Sequence, residues 1–260
     1  MKEIVKSIIP KRFFETFKNI YSTYLKTSLK GNTVCCNICK FSYAKFAYYG
    51  NPKRSNAKCP SCNSLERHRL IFSFLEQKTP LFTESKKKVK LLHFAPEAFF
   101  YKTFNSSDSI EYVPCDLYPG IFDFDNENLI KEVDITQIPY KDNSFDYILC
   151  NHVLEHIPND SLAMSELFRV LKKDGLGIFQ VPIDYNLETT YEDFSITTEK
   201  ARTKAFGQKD HVRWYGKDYK SKLEKAGFKV TEDPYVKQFS EEEVYQYGFP
   251  SDELLYCCTK

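Results

Sequence analysis

No stretch of this chain holds the roughly 18 consecutive apolar residues that a membrane-spanning helix needs, so no such helix is expected. No apolar run with a small-residue cleavage site opens the sequence, so a secretory leader is not expected either. Internal repeats are absent. Charge of neither sign dominates: the formal net charge is +2, which does not make the whole chain a polyanion binder. These absences point to a cytoplasmic protein. In that compartment nine cysteines read as metal ligands or free thiols rather than as disulfides.

What is present suffices for a real core. Of 260 residues 42% are hydrophobic, including 22 Phe and 18 Tyr, which suits one α/β domain with a small appendage. Residues 1–30 form a basic, amphipathic helical segment. Lys2, Lys6, Lys11, Arg12, Lys18, Lys26 and Lys30 stand against only Glu3 and Glu15. Ile4, Val5, Ile8 and Ile9, then Phe13, Phe14, Phe17, Ile20 and Tyr21, recur at helical spacing, with Pro10 as a break between them. The expectation is a helix pair docking its aromatic face on the main domain. The same composition suits peripheral contact with the inner membrane face or a nucleic-acid arm.

Residues 31–70 form a cysteine module. Cys36 and Cys39, then Cys59 and Cys62, make two C-x-x-C turns separated by nineteen residues. That is the spacing of a four-cysteine structural zinc site, in which each turn presents two sulfurs to one tetrahedral ion. Cys35 competes with Cys36 for the first place. A thioredoxin-like redox role lacks the surrounding βαβ pattern. Arg67 and Arg69 could hold phosphate or carboxylate, or pair with Glu66 and Glu76. A surface position is expected for His68.

Residues 71–87 read as a helix and a lysine-rich linker (Lys86, Lys87, Lys88), and from Val89 strands and helices alternate, which predicts a doubly wound, mostly parallel sheet in a domain over 71–260. The expected strands are 88–94, 111–116, 132–135, 145–151, 177–181, 229–232 and 253–258. Helices are expected at 98–104, 161–171 and 219–226, the last capped by Gly227. In such a sheet ligands sit outside the carboxyl ends of the strands. Asn151, His152, Glu155 and His156 follow an apolar strand and fall at that crevice. Glu155 and His156 are expected to open the next helix. A second polar group, Gln208, Asp210, His211 and Arg213, lies between two glycines beside the sole tryptophan. Asp210 with His211 reads as an acid–base pair and Arg213 as a clamp for an anionic substrate, with Glu192, Asp193 and Arg202 closing a lid.

The run VDITQIPYKDNSFDYILCNHVLEHI, residues 133–157, resembles the middle of class I S-adenosylmethionine-dependent methyltransferases, of the methyltransferase type 11 kind. The tracts CPSCNSLERHR and FGQKDHVRWYG are similar to those of a bacterial branch that carries an N-terminal four-cysteine zinc module. The resemblance, which covers roughly residues 36–232, implies a Rossmann-like fold and an S-adenosylmethionine site. His93, Ala95 and Glu97 would form its first turn, where the family has an acid and glycines; Glu97 would take the cofactor's ammonium. Asp116 would accept the ribose hydroxyls, with Leu117 beside the adenine. Asp134 would meet the adenine amino group, Ile135 would pack on the ring, and Asn151 would face the methionine part. Methyl transfer to an oxygen or nitrogen needs a base there, and His156, then His152 and His211, are the candidates, with Asp210 as helper. The expected acceptor is a small molecule or glycan. RNA is a rival acceptor, though an Asn-Pro-Pro-Tyr tetrad is missing after the fourth strand, where Asn151-His152-Val153-Leu154 stands. A non-catalytic binding protein is the other rival, suggested by the glycine-free turn.

Overall fold

A computed structural model describes residues 11–50, 52–83, 88–122 and 129–260. Residues 1–10, with the helix expected before Pro10, and residues 84–87, with part of the expected lysine-rich linker, lie outside them. Along the chain lie α1 (Lys11–Ser28), β1 (Lys30–Cys35), β2 (Ser42–Tyr43), β3 (Ala47–Tyr49), β4 (Arg54–Lys58), α2 (Glu66–Lys78), β5 (Val89–Phe94), α3 (Ala98–Asn105), β6 (Ile110–Asp116), β7 (Lys131–Glu132), β8 (Phe145–Asn151), α4 (Asp160–Val170), β9 (Leu171–Gln180), β10 (Tyr191–Glu192), α5 (Glu199–Phe206), β11 (Arg213–Trp214), α6 (Tyr219–Lys225), β12 (Lys229–Asp233), α7 (Glu241–Tyr247) and β13 (Leu255–Thr259). They group into two units, one running to Lys78 and joined by Val236–Glu253, the other made of Thr79–Tyr235 and Leu254–Lys260. Among the described residues no helix is long and apolar enough to cross a membrane.

The larger unit is built on a seven-stranded sheet in the order β12-β13-β9-β8-β5-β6-β7. The strands β9, β8, β5, β6 and β7 run parallel, and β13 is antiparallel to both β9 and β12. Apolar β-rich runs such as FDYILCN become these strands because both faces are covered. Phe145, Ile148, Cys150, Leu92 and Phe179 are buried. Each large apolar side chain so buried contributes about 1.5–3 kcal/mol. The chain reverses its strand order between β5 and β8, and this switch point sets the ligand crevice at Phe94–Ala95 and Asn151–His152.

The signature run is largely a structural brace. Arg169 on α4 donates to the carbonyls of Ile138 (2.8 Å) and Tyr140 (2.7 Å) and pairs with Asp142 (2.9 Å) and Glu166 (2.7 Å). Glu166 in turn accepts the Ile138 N–H at 2.8 Å. Asp146 accepts the Lys90 N–H and the Lys172 ammonium, each at 2.8 Å, tying β8 to β5 and β9. Motif residues that look functional by position thus hold the turn that aims β8.

In the smaller unit β1 pairs with β2 and β3 with β4, both antiparallel. Its core is small, Val34, Tyr43 and Phe46 around the cysteines. Units with so little apolar burial commonly need a further cross-link. The segment 236–253 joins this unit through Arg69. That guanidinium is buried over the Phe46 ring at 4.2 Å and donates to the carbonyls of Ser64, Ala57, Tyr247 and Gly248. It is therefore not available to phosphate, and Glu66 pairs instead with Arg54 at 2.8 Å. His68 is buried, contrary to the expected surface position. It lies in the first turn of α2, where its Nδ1 accepts the Leu65 N–H at 3.1 Å and so serves as an end cap. On α1, Ile20, Tyr21 and Tyr24 are exposed.

Candidate functional sites

The four cysteines converge. Cys36 lies 3.6 Å from Cys62, and Cys39 lies 3.6 Å from Cys59, sulfur to sulfur. All four sulfurs fall within 4.8 Å of one another. Zinc–sulfur bonds of about 2.3 Å in a tetrahedron put sulfurs roughly 3.8 Å apart, so the donor set fits that ion. The two turns have the same build. Lys40 N–H bonds the Cys36 carbonyl at 2.8 Å and Asn63 N–H the Cys59 carbonyl at 3.0 Å. Lys40 and Asn63 both adopt left-handed backbone, φ 61° and 63°. Cys35 stays outside the cluster, which decides its competition with Cys36. Hydrogen bonds from Cys39, Cys59 and Cys62 draw the Cys36 thiol well down. Ser64 Oγ stands 3.1 Å from Cys62 and 3.4 Å from Cys36 as an outer partner. The remaining described cysteines of the sheet are inert by contrast; burial pushes Cys257 up to about 12.

At the carboxyl end of β5, the turn without glycine keeps a glycine-like backbone. Ala95 has φ +48°, and its N–H bonds the Cys115 carbonyl at 2.9 Å. His93 is fully buried between Tyr112 Oη (2.9 Å from Nδ1) and Glu97 Oε2 (3.0 Å from Nε2). The carboxylate accepts, so Nε2–H donates to Glu97 and Nδ1 accepts from Tyr112. Glu97 immediately precedes α3, and that oxygen is directed at His93.

Asp116 ends β6 and Asp134 follows β7. Their loops are joined by the Val133 N–H bond to the Asp116 carbonyl, 3.0 Å. Oδ1 of Asp116 accepts the Tyr118 N–H at 2.7 Å. Oδ1 of Asp134 accepts from Thr136 N–H and hydroxyl at 2.8 and 2.7 Å. Both are thus turn residues through one oxygen, and among the described residues Oδ2 of each has no partner. Leu117 is exposed and Ile135 buried.

Beyond β8, His152 takes left-handed backbone, φ +56°, and its N–H bonds the Gln180 carbonyl at 2.7 Å. The next residues form a single 3-10 turn, Leu154–His156, rather than the start of a helix. Pro158 follows, and Asn159 caps α4 by accepting the Leu162 N–H, so the helix begins only at Asp160. The late polar loop folds onto this turn through the Val212 N–H bond to the Glu155 carbonyl, 3.0 Å. Two groups far apart in sequence therefore form one. His156 meets the edge of His211 with ring centroids 4.7 Å apart, and its Nδ1 lies 3.7 Å from the Asp210 carboxylate. Asp210 thus faces His156 rather than His211. Burial lowers His211, which favours its neutral form. Arg213 is buried with donors on the carbonyls of Leu154, Ile157 and Pro158 and on Glu192 at 3.0 Å. It is a strut under the 154–158 turn, not a substrate clamp. Gly207 ends α5 at φ +80°, where a Cβ would meet the Trp214 ring at 2.3 Å. Asn151 is buried, and neither of its amide atoms has a partner among the described residues. Glu155, expected at the crevice and at the start of a helix but given no chemical role, is the most buried acid of the site, at 1%.

Residues 101–179 match the family model described as a methyltransferase domain. That match lies within the larger unit, whose sheet is doubly wound and mostly parallel, a Rossmann-like arrangement. An uncharacterized protein of Methanocaldococcus jannaschii is 39% identical over 74 residues, spanning 28% of this chain and 32% of that one. This chain thus matches about a third of that relative's length. A SAM-dependent methyltransferase from Archaeoglobus fulgidus is 15% identical, with TM-score 0.46, covering 76% of this chain and 96% of that one. The cyclase SpnF is 16% identical, with TM-score 0.46, covering 75% and 81%.

Proposed function

We propose that the protein moves a methyl group from S-adenosylmethionine to an oxygen or nitrogen of a small-molecule or glycan acceptor. The observation that carries this is the set of buried polar atoms without partners at the switch point, Asn151 foremost. Buried amides are nearly always hydrogen-bonded, so an orphaned one at a ligand crevice is shaped for a ligand. The free oxygens of Asp116 and Asp134 suit the hydroxyl and amino groups of a nucleoside. Ala95 keeps the backbone of a glycine turn and so leaves room for a ligand's approach. Glu97 already serves His93, which makes its hold on an ammonium group a shared duty.

The cofactor, when bound, supplies a methyl group on a positively charged sulfur. The chain's part is alignment and exclusion of water. An acceptor hydroxyl must also give up a proton, and His156, flanked by Asp210 and half-exposed, is placed to take it, with His152 and His211 behind it. The four-cysteine centre is read as structural zinc, because four thiolates fill the shell and keep no position for substrate.

Calorimetry with S-adenosylhomocysteine tests the proposal. Saturable heat is expected, weakened about tenfold or more in Asp116→Asn, since a charged acceptor to a ligand hydroxyl contributes about 1.5–3 kcal/mol. Absence of heat with the unaltered chain would leave a methyltransferase fold used as a scaffold. Labelled methyl appearing in RNA rather than in small-molecule or glycan fractions would move the acceptor to RNA.

A further inference from the structure

Glu155 is 1% exposed, and neither carboxylate oxygen has a hydrogen-bond partner. Among the described residues, the groups within ion-pair distance of it are histidines alone: His152 Nδ1 at 3.3 Å and His211 Nε2 at 3.9 Å, both from Oε1. No lysine or arginine reaches it among the described residues. A carboxylate taken out of water needs a compensating positive charge, or it costs several kcal/mol.

The histidines around it are held as ligands are held. His211 is buried, and its Nδ1–H donates to the Phe206 carbonyl at 3.1 Å. That bond fixes the tautomer and leaves Nε2, which has no partner, as a bare lone pair turned to Glu155. Nδ1 of His156 lies 3.3 Å from the Asp210 carbonyl. Metal-binding histidines characteristically give their other ring N–H to a carbonyl or carboxylate in this way. One ring nitrogen of each histidine and one Glu155 oxygen lie within 4.8 Å of one another. The 3.9 Å between His211 Nε2 and Glu155 Oε1 is spanned by two metal–ligand bonds of about 2.1 Å each.

The geometry points to a second metal site: Glu155, His156 and His211 bind a divalent first-row transition cation at the carboxyl end of β8. Two imidazoles and one carboxylate are borderline donors, suited to zinc, cobalt, manganese or iron rather than to magnesium or calcium. Three protein ligands leave a position open, unlike the closed four-thiolate centre. With His156 coordinated, the role of base falls to His152, and an acceptor oxygen on the open position would lose its proton more readily. The site stands on its own geometry and goes beyond the methyl-transfer proposal.

The test is Co²⁺ titration of the full chain after one equivalent of zinc has filled the cysteines, followed by visible absorption and by thermal unfolding. The expected result is one Co²⁺ per chain, without intense thiolate-to-cobalt bands, raising the unfolding midpoint. His211→Ala and His156→Ala should each weaken it at least about tenfold. His156 is 29% exposed in its side chain, so its alanine variant keeps the core and should unfold like the parent in the absence of metal. No binding beyond the first zinc, or cobalt binding that persists in both variants, would overturn the site. Cofactor plays no part in the readout, so this result and the calorimetry above can fail separately.

Discussion

His93 Nε2 donates to Glu97 Oε2 across the turn that closes β5, at 3.0 Å. The carboxylate at the start of α3 is thus tethered to the imidazole near the end of β5. Removing the ring in His93→Ala opens a cavity and takes a hydrogen-bond partner from Tyr112 and Glu97. We expect a loss of about 2–4 kcal/mol in urea unfolding. Glu97→Gln keeps an acceptor for Nε2–H and should stay within about 1 kcal/mol of the parent.

Ala95 provides a second test of the same turn. At φ +48° an L-residue costs roughly 1–2 kcal/mol, partly offset for glycine by its greater freedom in the unfolded chain. Ala95→Gly should therefore be neutral or stabilising by up to about 1 kcal/mol. A β-branched residue tolerates left-handed backbone poorly, so Ala95→Val should destabilise by about 2 kcal/mol. Chemical denaturation of the three proteins orders them.

The paired cysteine turns predict a sharp contrast between adjacent residues. Cys36→Ser should lose bound zinc by elemental analysis, and Cys35→Ser should retain one equivalent. Strong chelators should lower the thermal midpoint of the parent and of Cys35→Ser, because metal binding to such small centres is folding free energy.

Much of the sheet was legible in sequence because its strands are buried on both faces. Residues 145–151 were expected as a strand and β8 spans those residues. The cysteine spacing was legible for a similar reason, since two turns of fixed length admit few geometries. Other elements carried no such mark. The helix α5, EKARTKAF, buries only Phe206 and so shows no apolar stripe. Arg69 looked like a ligand-binding residue because nothing local reveals that its acceptors lie at residues 247 and 248. The meeting of His156 with His211 is likewise a product of tertiary structure, made by the Val212–Glu155 backbone bond and the Arg213 strut between segments more than fifty residues apart.

Glu166 offers a pH dependence with a definite sign. Hydrogen bonding to the Arg169 guanidinium, then to the Ile138 N–H, holds its carboxyl below the usual range. A lowered folded value stabilises the protein above the unfolded value of about 4.3, and that contribution is lost as pH falls through the folded value. Glu166→Gln should cost about 1 kcal/mol near pH 7, solvent screening included. The gap between parent and variant should close as unfolding is measured at progressively lower pH below about 4.3.

The backbone leaves the cysteine unit after Lys78 and returns to it for Val236–Glu253. During synthesis, then, Arg69 emerges from the ribosome long before the carbonyls of Tyr247 and Gly248 that it will bind. A buried guanidinium lacking half its acceptors is unstable, so this unit can close only after residue 248 has been made. Cutting the gene after codon 78 would accordingly yield a fragment with its cation unsatisfied, whatever metal is supplied.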